Sequence, residues 1–391
     1  MPRSSENKIV ATLVLLGLFS AGLCGYGLWR FVAAPKTSGQ TAPQEETQRD
    51  LYKKKLIRQA GFDPDLFQKE GTSLSVKGIM LHPYRWYSLP ENFKGTYFNT
   101  DSYGFRTNGA DAKTEAPIHA GFFGGSTGFS VLSDDAHTIP ALAEKQIPDL
   151  AIKNYAIGGY SLSAELPTFI ETVRRDPFRF ALFYDGVNEI SRYVEYIQDL
   201  STARYYETVG YPYYDAIRDA VENLPGYERG KKPLVLSQRS AALPPIDRKS
   251  VDELITPANA EEHAEKIVQL YLANVQDIAA LARAHNVTPV FFWQPDIYST
   301  KKPLTEDEKF ILNEHPGFRL LAEAVHRKAA ELAARPEMKD VLYFDLSDAL
   351  DDLGTDPNFM DFCHIDAAGN ALVAKALSAH LQQVLAKTAP Y

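Results

Sequence analysis

The 391-residue chain is poor in the residues that build several familiar kinds of site. It has two cysteines, Cys24 inside an apolar N-terminal run and Cys363 beside a C-terminal histidine. That placement speaks against an intrachain disulfide, and so few cysteines say little about redox compartment. No C-x-x-C pair and no H-E-x-x-H occurs, so neither a zinc finger nor a zincin centre is supported, and no metal or cofactor is expected. No dense basic stripe offsets the formal charge of −9, which argues against a nucleic-acid surface. No internal repeat of solenoid period is present. What remains, 45% hydrophobic and 23% charged residues, is an ordinary globular composition able to bury a sizeable core.

One stretch departs from that composition. From Ile9 to Trp29 there is no charged residue, and the length matches the roughly 20 residues that cross a bilayer core as a helix. A cleaved signal peptide is the alternative. Its apolar region is usually shorter, and the small-residue exit Val32-Ala33-Ala34 is followed by Pro35, which disfavours cleavage. Leu23 before Cys24 does not fit a lipoprotein site. Arg3 and Lys8 precede the run, and Arg30 and Lys36 follow it, so charge orients the span only weakly. Residues 1–34 are therefore expected to be a single-pass transmembrane anchor, with the bulk of the chain on the non-cytoplasmic side. Residues 35–50 are polar and proline-spaced, the composition of a flexible stalk.

A short helical pattern begins near Leu51. Gly71 to Asn108 is rich in Tyr, Phe, Gly and Pro without a helical period, so 51–116 is predicted as an N-terminal extension packed on the core. From Pro117 the alternation of an α/β protein with a central parallel sheet begins. The predicted strands are Ile118–Phe123, Ile152–Ala156, Phe180–Tyr184, Pro289–Trp293 and Val341–Asp345. The predicted helices are Thr138–Lys145, Ser163–Arg175, Ala258–His285 and Ala367 to about Leu385. In the long one, Ile267, Leu270, Tyr271, Asn274, Ile278 and Leu281 lie near one face. Residues 191–257 are too long and irregular for an ordinary connection. They concentrate Tyr193, Tyr196, Tyr205, Tyr206, Tyr211, Tyr213, Tyr214 and Tyr227, either as a sugar-stacking lid or, the favoured reading, as a small subdomain packed on its own rings.

Ligands of open parallel sheets bind beyond the carboxyl ends of the strands. Past the first strand lies Gly124-Gly125-Ser126-Thr127-Gly128, and past the second Asn154-Tyr155-Ala156-Ile157-Gly158-Gly159-Tyr160. Past the third lies Asp185-Gly186-Val187-Asn188-Glu189, and after the last Asp361-Phe362-Cys363-His364. A serine hydroxyl needs an adjacent imidazole to take its proton, and the imidazole needs a carboxylate to hold its tautomer. Each block alone is more often a turn, a loop or a helix cap than a site. Together, in this order, they resemble the four signature blocks of the SGNH (GDSL-like) hydrolase family from Pro117 to the C-terminus, apart from the insertion. The resemblance implies a three-layer, flavodoxin-like α/β fold. It implies Ser126 as nucleophile, His364 as base and Asp361 as its orienting acid, with Ser126 N–H, Gly159 N–H (or Gly158) and the Asn188 side chain as the oxyanion hole. Gln294-Pro295, Asn99…Tyr103-Gly104-Phe105-Arg106 and His364-Ile365-Asp366…Gly369-Asn370 are secondary echoes. Two positions depart from the family pattern: Gly125 where an aspartate is frequent, and Glu189 where an aspartate is usual.

Gly124-x-Ser126-x-Gly128 also fits the nucleophile elbow of α/β-hydrolases. There the elbow follows a central strand reached later in the chain, and the acid lies far from the histidine. The other histidines (His82, His119, His137, His263, His285, His315, His326 and His380) have no comparable context and read as surface or core residues. The activity implied is ester hydrolysis or O-acyl transfer through an acyl-serine, on a small ester or an acylated carbohydrate of an envelope or exported polysaccharide. The competing expectation is a silent scaffold of the same fold in a membrane assembly with unknown partners. Retention of Ser126, Gly159, Asn188 and His364 together argues against it.

Overall fold

The computed structural model describes residues 47–75, 78, 80–82, 85, 87–113, 115–200 and 249–387. The expected anchor at 1–34, most of the 35–50 stalk, and Tyr205, Tyr206, Tyr211, Tyr213, Tyr214 and Tyr227 lie outside these residues. Among the described residues no helix is long and apolar enough to cross a membrane.

Helix α1 spans Gln48–Gln59 and so takes in the last residues assigned to the stalk. The reason is a capping box: Thr47 Oγ1 accepts from Asp50 N, and the Asp50 carboxylate accepts from Thr47 N, each at 3.2 Å. Helix α2 (Pro64–Ser75) and the short antiparallel pair β1 (Met80–Leu81) and β2 (Tyr87–Ser88) follow. Then come β3 (Ile118–Gly124), α3 (Ser126–Phe129), α4 (Ile139–Gln146), β4 (Leu150–Asn154), α5 (Leu162–Arg175), β5 (Phe180–Asp185) and α6 (Val187–Leu200). Beyond residue 248 lie α7 (Val251–Leu254), α8 (Ala260–Ala284), β6 (Thr288–Trp293), α9 (Glu306–Asn313), α10 (Pro316–Ala330), β7 (Leu342–Asp345) and α11 (Ala367–Lys387).

Strands β3 to β7 form a five-stranded sheet in the order β4-β3-β5-β6-β7, with every neighbouring pair parallel. That is the flavodoxin-like order, with its switch point between β3 and β5 and helices on both faces. Strand alternation decides which residues face which layer. Phe123, Phe183 and Phe291 are in register across three strands, their rings stacked at 4.9 and 5.2 Å, and face α5, α6, α8 and α10. Phe122, Leu182, Tyr184, Val290 and Phe292 point the other way, onto α1, α2, α4 and α11. Tyr52, Leu56, Ile57, Phe67, Leu74, Leu89 and Phe98 belong to that second core, whereas Tyr87 and Phe105 pack in the first.

The face predicted for α8 is displaced. The buried stripe is Ala264, Ile267, Val268, Tyr271, Leu272, Val275, Ile278, Ala279 and Ala282, while Leu270 is 59% exposed. A 3.6-residue period centred between Ile267 and Val268 leaves position 270 at the solvent edge. Residues 191–200 of the Tyr-rich stretch belong to helix α6, which packs through Ile190, Tyr193 and Val194. Tyr193 is core and donates to or accepts from His263 Nδ1 at 2.7 Å, whereas Tyr196 is exposed.

Candidate active site

The candidate site lies beyond the carboxyl ends of β3 and β5, at the switch point. Strand β3 ends at Gly124, and Ser126 is the first residue of the single turn α3, with Gly125 as its cap. Gly125 has to be glycine here. A Cβ on it would stand 2.0 Å from Asn188 Nδ2 and 2.7 Å from the Tyr160 carbonyl oxygen. A side chain at 125 would compete with Asn188 for the same space.

The turn is held from below. Ser130, its C-terminal cap, has φ +61°, a conformation costly for a residue with a side chain. Arg106 donates from Nη1 to the carbonyls of Phe129 (2.5 Å) and Ser130 (2.9 Å), and from Nη2 to that of Ser133 (2.6 Å). Its Nε–H donates to Asp135 at 2.8 Å, and its guanidinium carbon lies 4.6 and 4.8 Å from the centres of the Phe98 and Phe129 rings. The Arg106–Asp135 pair is buried and hydrogen-bonded throughout, the condition under which a buried ion pair is tolerated. From the other side, Thr127 Oγ1 donates to Gln294 Oε1 (2.9 Å) beyond the end of β6.

The structure brings Ser126, His364 and Asp361 together as one hydrogen-bonded chain. His364 Nε2 is 2.7 Å from Ser126 Oγ, and His364 Nδ1 is 2.7 and 2.9 Å from the two Asp361 oxygens. Asp361 is buried, and its Oδ1 also accepts from the backbone N–H of Cys363 (3.0 Å) and of His364 (2.9 Å). Burial alone would raise its pKa. The His364 ring and these N–H donors outweigh burial and hold the carboxyl well below the usual carboxylate range. Ser126 and His364 are half-buried, so the reactive end of the chain meets solvent while its acid does not. The loop is pinned where Ile297 N donates to Phe362 O (2.9 Å) and Phe362 packs on Phe318 and Tyr298.

Donor atoms of Asp361, Cys363 and His364 lie within 4.8 Å of one another, the arrangement a metal could bridge. Here Asp361 and His364 are engaged with each other. Burial and the Asp361 charge push the Cys363 thiol well up, so it sits beside them as a neutral thiol.

Asn188 stands on the first turn of α6, and its Nδ2 donates to Tyr160 O at 2.6 Å. A side-chain amide nitrogen carries two N–H groups, so a second remains beside Gly125. Gly158 and Gly159 are half-buried, and Gly159 takes φ +78°, a conformation glycine adopts without steric cost. Glu189 is a clamp: Oε1 accepts from Leu162 N (2.8 Å) and Oε2 from Gly186 N (2.9 Å). It therefore ties the segment after Gly159 to the segment before Asn188. Behind it, Glu165 and Asp185 are buried with no N–H or O–H donor on their carboxyl oxygens. Burial first, then the closeness of the acids to one another, pushes Asp185 well above the usual carboxyl range, and burial does the same to Glu165. Such a pair holds together only by keeping a proton between them.

One histidine set aside in the sequence has a richer setting than expected. His326 Nε2 is 2.9 Å from Asp296, and its Nδ1 is 3.1 Å from Ser347 Oγ. The roles differ from those at Ser126. Ser347 donates its proton to Asp345 at 2.5 Å, and Trp293 Nε1–H points at His326 Nδ1 at 3.2 Å, so that nitrogen is engaged by a donor. An open cleft of about 470 Å³ is lined by Tyr298, His326, Asp345 and Ser347 among others, and no residue of the Ser126 chain lines it. Tyr87, Arg106, Glu165 and Arg192 were not assigned to the site from sequence. Arg192, one helical turn after Asn188, was the most findable of them.

The fold and site define a parallel α/β protein with a serine, a histidine and an aspartate joined at the switch point. No protein-family model matches the chain, and no curated protein does. Among solved structures the chain is similar to an acetylxylan esterase from Geobacillus stearothermophilus, with TM-score 0.37 and 14% identity over 69% of this chain and 96% of that one. It is also similar to a member of the lipolytic protein G-D-S-L family from Veillonella parvula, with TM-score 0.36 and 12% identity over 69% of this chain and all (100%) of that one. Similarity of that extent assigns neither family nor activity, and the chemistry rests on the geometry above.

Proposed function

We propose that this protein is a serine-dependent ester hydrolase or O-acyl transferase working through an acyl-Ser126 intermediate. The observation that carries the reading is the Ser126–His364–Asp361 hydrogen-bond chain. In this mechanism Ser126 Oγ attacks the ester carbonyl as its proton passes to His364 Nε2. Asp361, kept ionised, holds the imidazole with Nδ1–H toward itself and stabilises the imidazolium without taking its proton. The negative charge on the former carbonyl oxygen is met by the N–H groups of Ser126 and Gly159 and by the second N–H of Asn188. Collapse of the tetrahedral intermediate releases the alcohol, which takes the proton from His364. Water or an acceptor hydroxyl then gives its proton to His364 and attacks the acyl-serine. Collapse of this second intermediate breaks the bond to Ser126 Oγ, which takes the proton back from His364 as the acid or the new ester leaves.

The acyl donor is proposed to be an O-acylated carbohydrate, and the location the outer side of a membrane held by an anchor at 1–34. The blocks resembling SGNH hydrolases support the first part, and the uncharged run Ile9–Trp29 supports the second. The test uses the purified full chain. A fluorophosphonate should label wild type at Ser126 and not Ser126→Ala, and p-nitrophenyl acetate should release acetate only with wild type. A folded wild type that takes no probe and cleaves no activated ester would leave the silent-scaffold reading standing instead.

A further inference from the structure

Gly159 is a proposed oxyanion donor with no side chain to fix it, and both of its torsions are soft. Its N–H belongs to the peptide plane whose carbonyl is Gly158 O. In a trans peptide these two groups point in opposite directions, so whatever holds the carbonyl aims the N–H. The Tyr87 hydroxyl donates to Gly158 O. The next plane carries Gly159 O and Tyr160 N–H. Arg192 Nη2 donates to Gly159 O at 2.8 Å, and Tyr160 N donates to Ile157 O at 3.2 Å. Both planes flanking the glycine are therefore gripped, one from the N-terminal segment and one from α6.

The grips are themselves fixed. Tyr87 is 2% exposed, and its carbonyl accepts from the Tyr160 hydroxyl at 2.7 Å, with the two rings edge-on at 5.1 Å. Arg192 is braced by Glu195 at 3.0 Å and rises from the helix that carries Asn188. If the 158–159 plane turned over, a carbonyl would replace the N–H and face the developing oxyanion with the wrong charge.

We propose that Tyr87 and Arg192 are positioning residues that hold the two peptide planes around Gly159 and so aim its N–H at the carbonyl oxygen of an ester on Ser126. The proposal rests on the esterase reading above. Because both residues act through one donor, their losses cannot multiply beyond the loss of that donor, on the order of 10²–10³ in turnover.

The test compares wild type, Tyr87→Phe, Arg192→Met, Arg192→Lys and the Tyr87→Phe/Arg192→Met double variant as full chains with p-nitrophenyl acetate. Each removal should lower kcat about 10- to 100-fold with KM within about threefold, since the donor binds charge that exists only in the transition state. Arg192→Lys should recover part of the loss. The double variant should fall clearly short of the product of the two single losses. Unchanged kcat in both single variants with a reactive wild type would overturn the clamp alone. So would losses that multiply fully and follow a fall in unfolding temperature. A wild type unreactive toward the fluorophosphonate would overturn the esterase reading, and this one with it.

Discussion

Replacing Asp361 by asparagine changes one atom, and the structure says which way the new amide must face. Two backbone N–H groups, from Cys363 and His364, point at Oδ1 from 3.0 and 2.9 Å. An asparagine keeps both bonds only with its oxygen at that position, which turns its NH₂ toward His364 Nδ1. His364 Nδ1 then lies 2.7 Å from the NH₂ and 2.9 Å from the retained oxygen, and a ring that accepts from the nearer NH₂ carries its proton on Nε2, 2.7 Å from Ser126 Oγ. In that tautomer it cannot take the serine proton. The expected loss in kcat is on the order of 10⁴, or about 5.5 kcal/mol of transition-state stabilisation, with KM little changed. Asp361→Ala should cost less, because it removes the orienting group without imposing the wrong tautomer, although it leaves two buried N–H groups without an acceptor. The assay is the steady-state rate with p-nitrophenyl acetate on variants whose unfolding transitions stay cooperative. Should Asp361→Asn retain activity within tenfold of wild type, His364 is not the base and the assignment of the chain is wrong.

Other perturbations test other parts of the site. Gly125→Ala drives a methyl group into Asn188 Nδ2, so kcat should fall to about the level of Asn188→Ala, roughly 10²–10³ below wild type, and the double variant should be scarcely worse. For Asp185 the folded carboxyl holds a proton that the unfolded one releases above a pKa of about 3.9, so stability falls as pH rises from there. Asp185→Asn removes that dependence, and its unfolding temperature relative to wild type should be higher at pH 8 than at pH 5; a difference independent of pH would refute the buried-proton reading. For topology, a reporter fused after Tyr391 should be active only on the non-cytoplasmic side, with Met1–Ala34 retained; a mature N-terminus near Pro35 would remove the anchor.

Four of the five central strands were legible because each is a short apolar run closed by glycine, proline or aspartate, as Phe180–Asp185 is by Gly186. Strand β4 instead lies at Leu150–Asn154, two residues before the predicted Ile152–Ala156, because the apolar run continues past its end to Gly158. Ser126, Asn188, Asp361 and His364 could be singled out because each lies in a short local motif beyond a strand end. Helices α9 and α10 went unread although signals existed: Thr305-x-x-Glu308 forms a capping box, and Pro316 opens α10. Leu270 was misplaced because a hydrophobic count cannot tell the centre of a helical stripe from its edge. The supports of the site were illegible for a different reason. Arg106 and Tyr87 act through partners far along the chain, such as Ser133 for Arg106 at a separation of 27 and Gly158 for Tyr87 at 71, and no local period encodes such pairs. His326 is a buried residue, as read, but the Asp and the Ser that reach it are brought there only by the folded chain.

The way these supports are distributed bears on what the segment before the sheet is for. Read as sequence, residues 51–116 are an extension packed on a core that begins at Pro117. In the structure that stretch supplies Arg106, the residue that gathers the carbonyls beneath the serine turn, and Tyr87, which holds the Gly158 carbonyl. Each replaces a water contact that a bare α/β sheet would leave at an exposed turn, and each comes already fixed by its own partners, Asp135 for Arg106 and Tyr160 for Tyr87. Preorganisation of this kind is what lets a dipole stabilise a developing charge without first reorienting. The Ser126–His364–Asp361 chain could survive loss of the segment, because none of its three members touches it through a hydrogen bond given by the structure. The strained Ser130 would lose the Arg106 bond to its carbonyl, and Gly159 would keep its Arg192 grip but lose the one from Tyr87. On the esterase reading proposed above, the segment is part of the site, because it supplies Arg106 beneath the Ser126 turn and Tyr87 against Gly158 O.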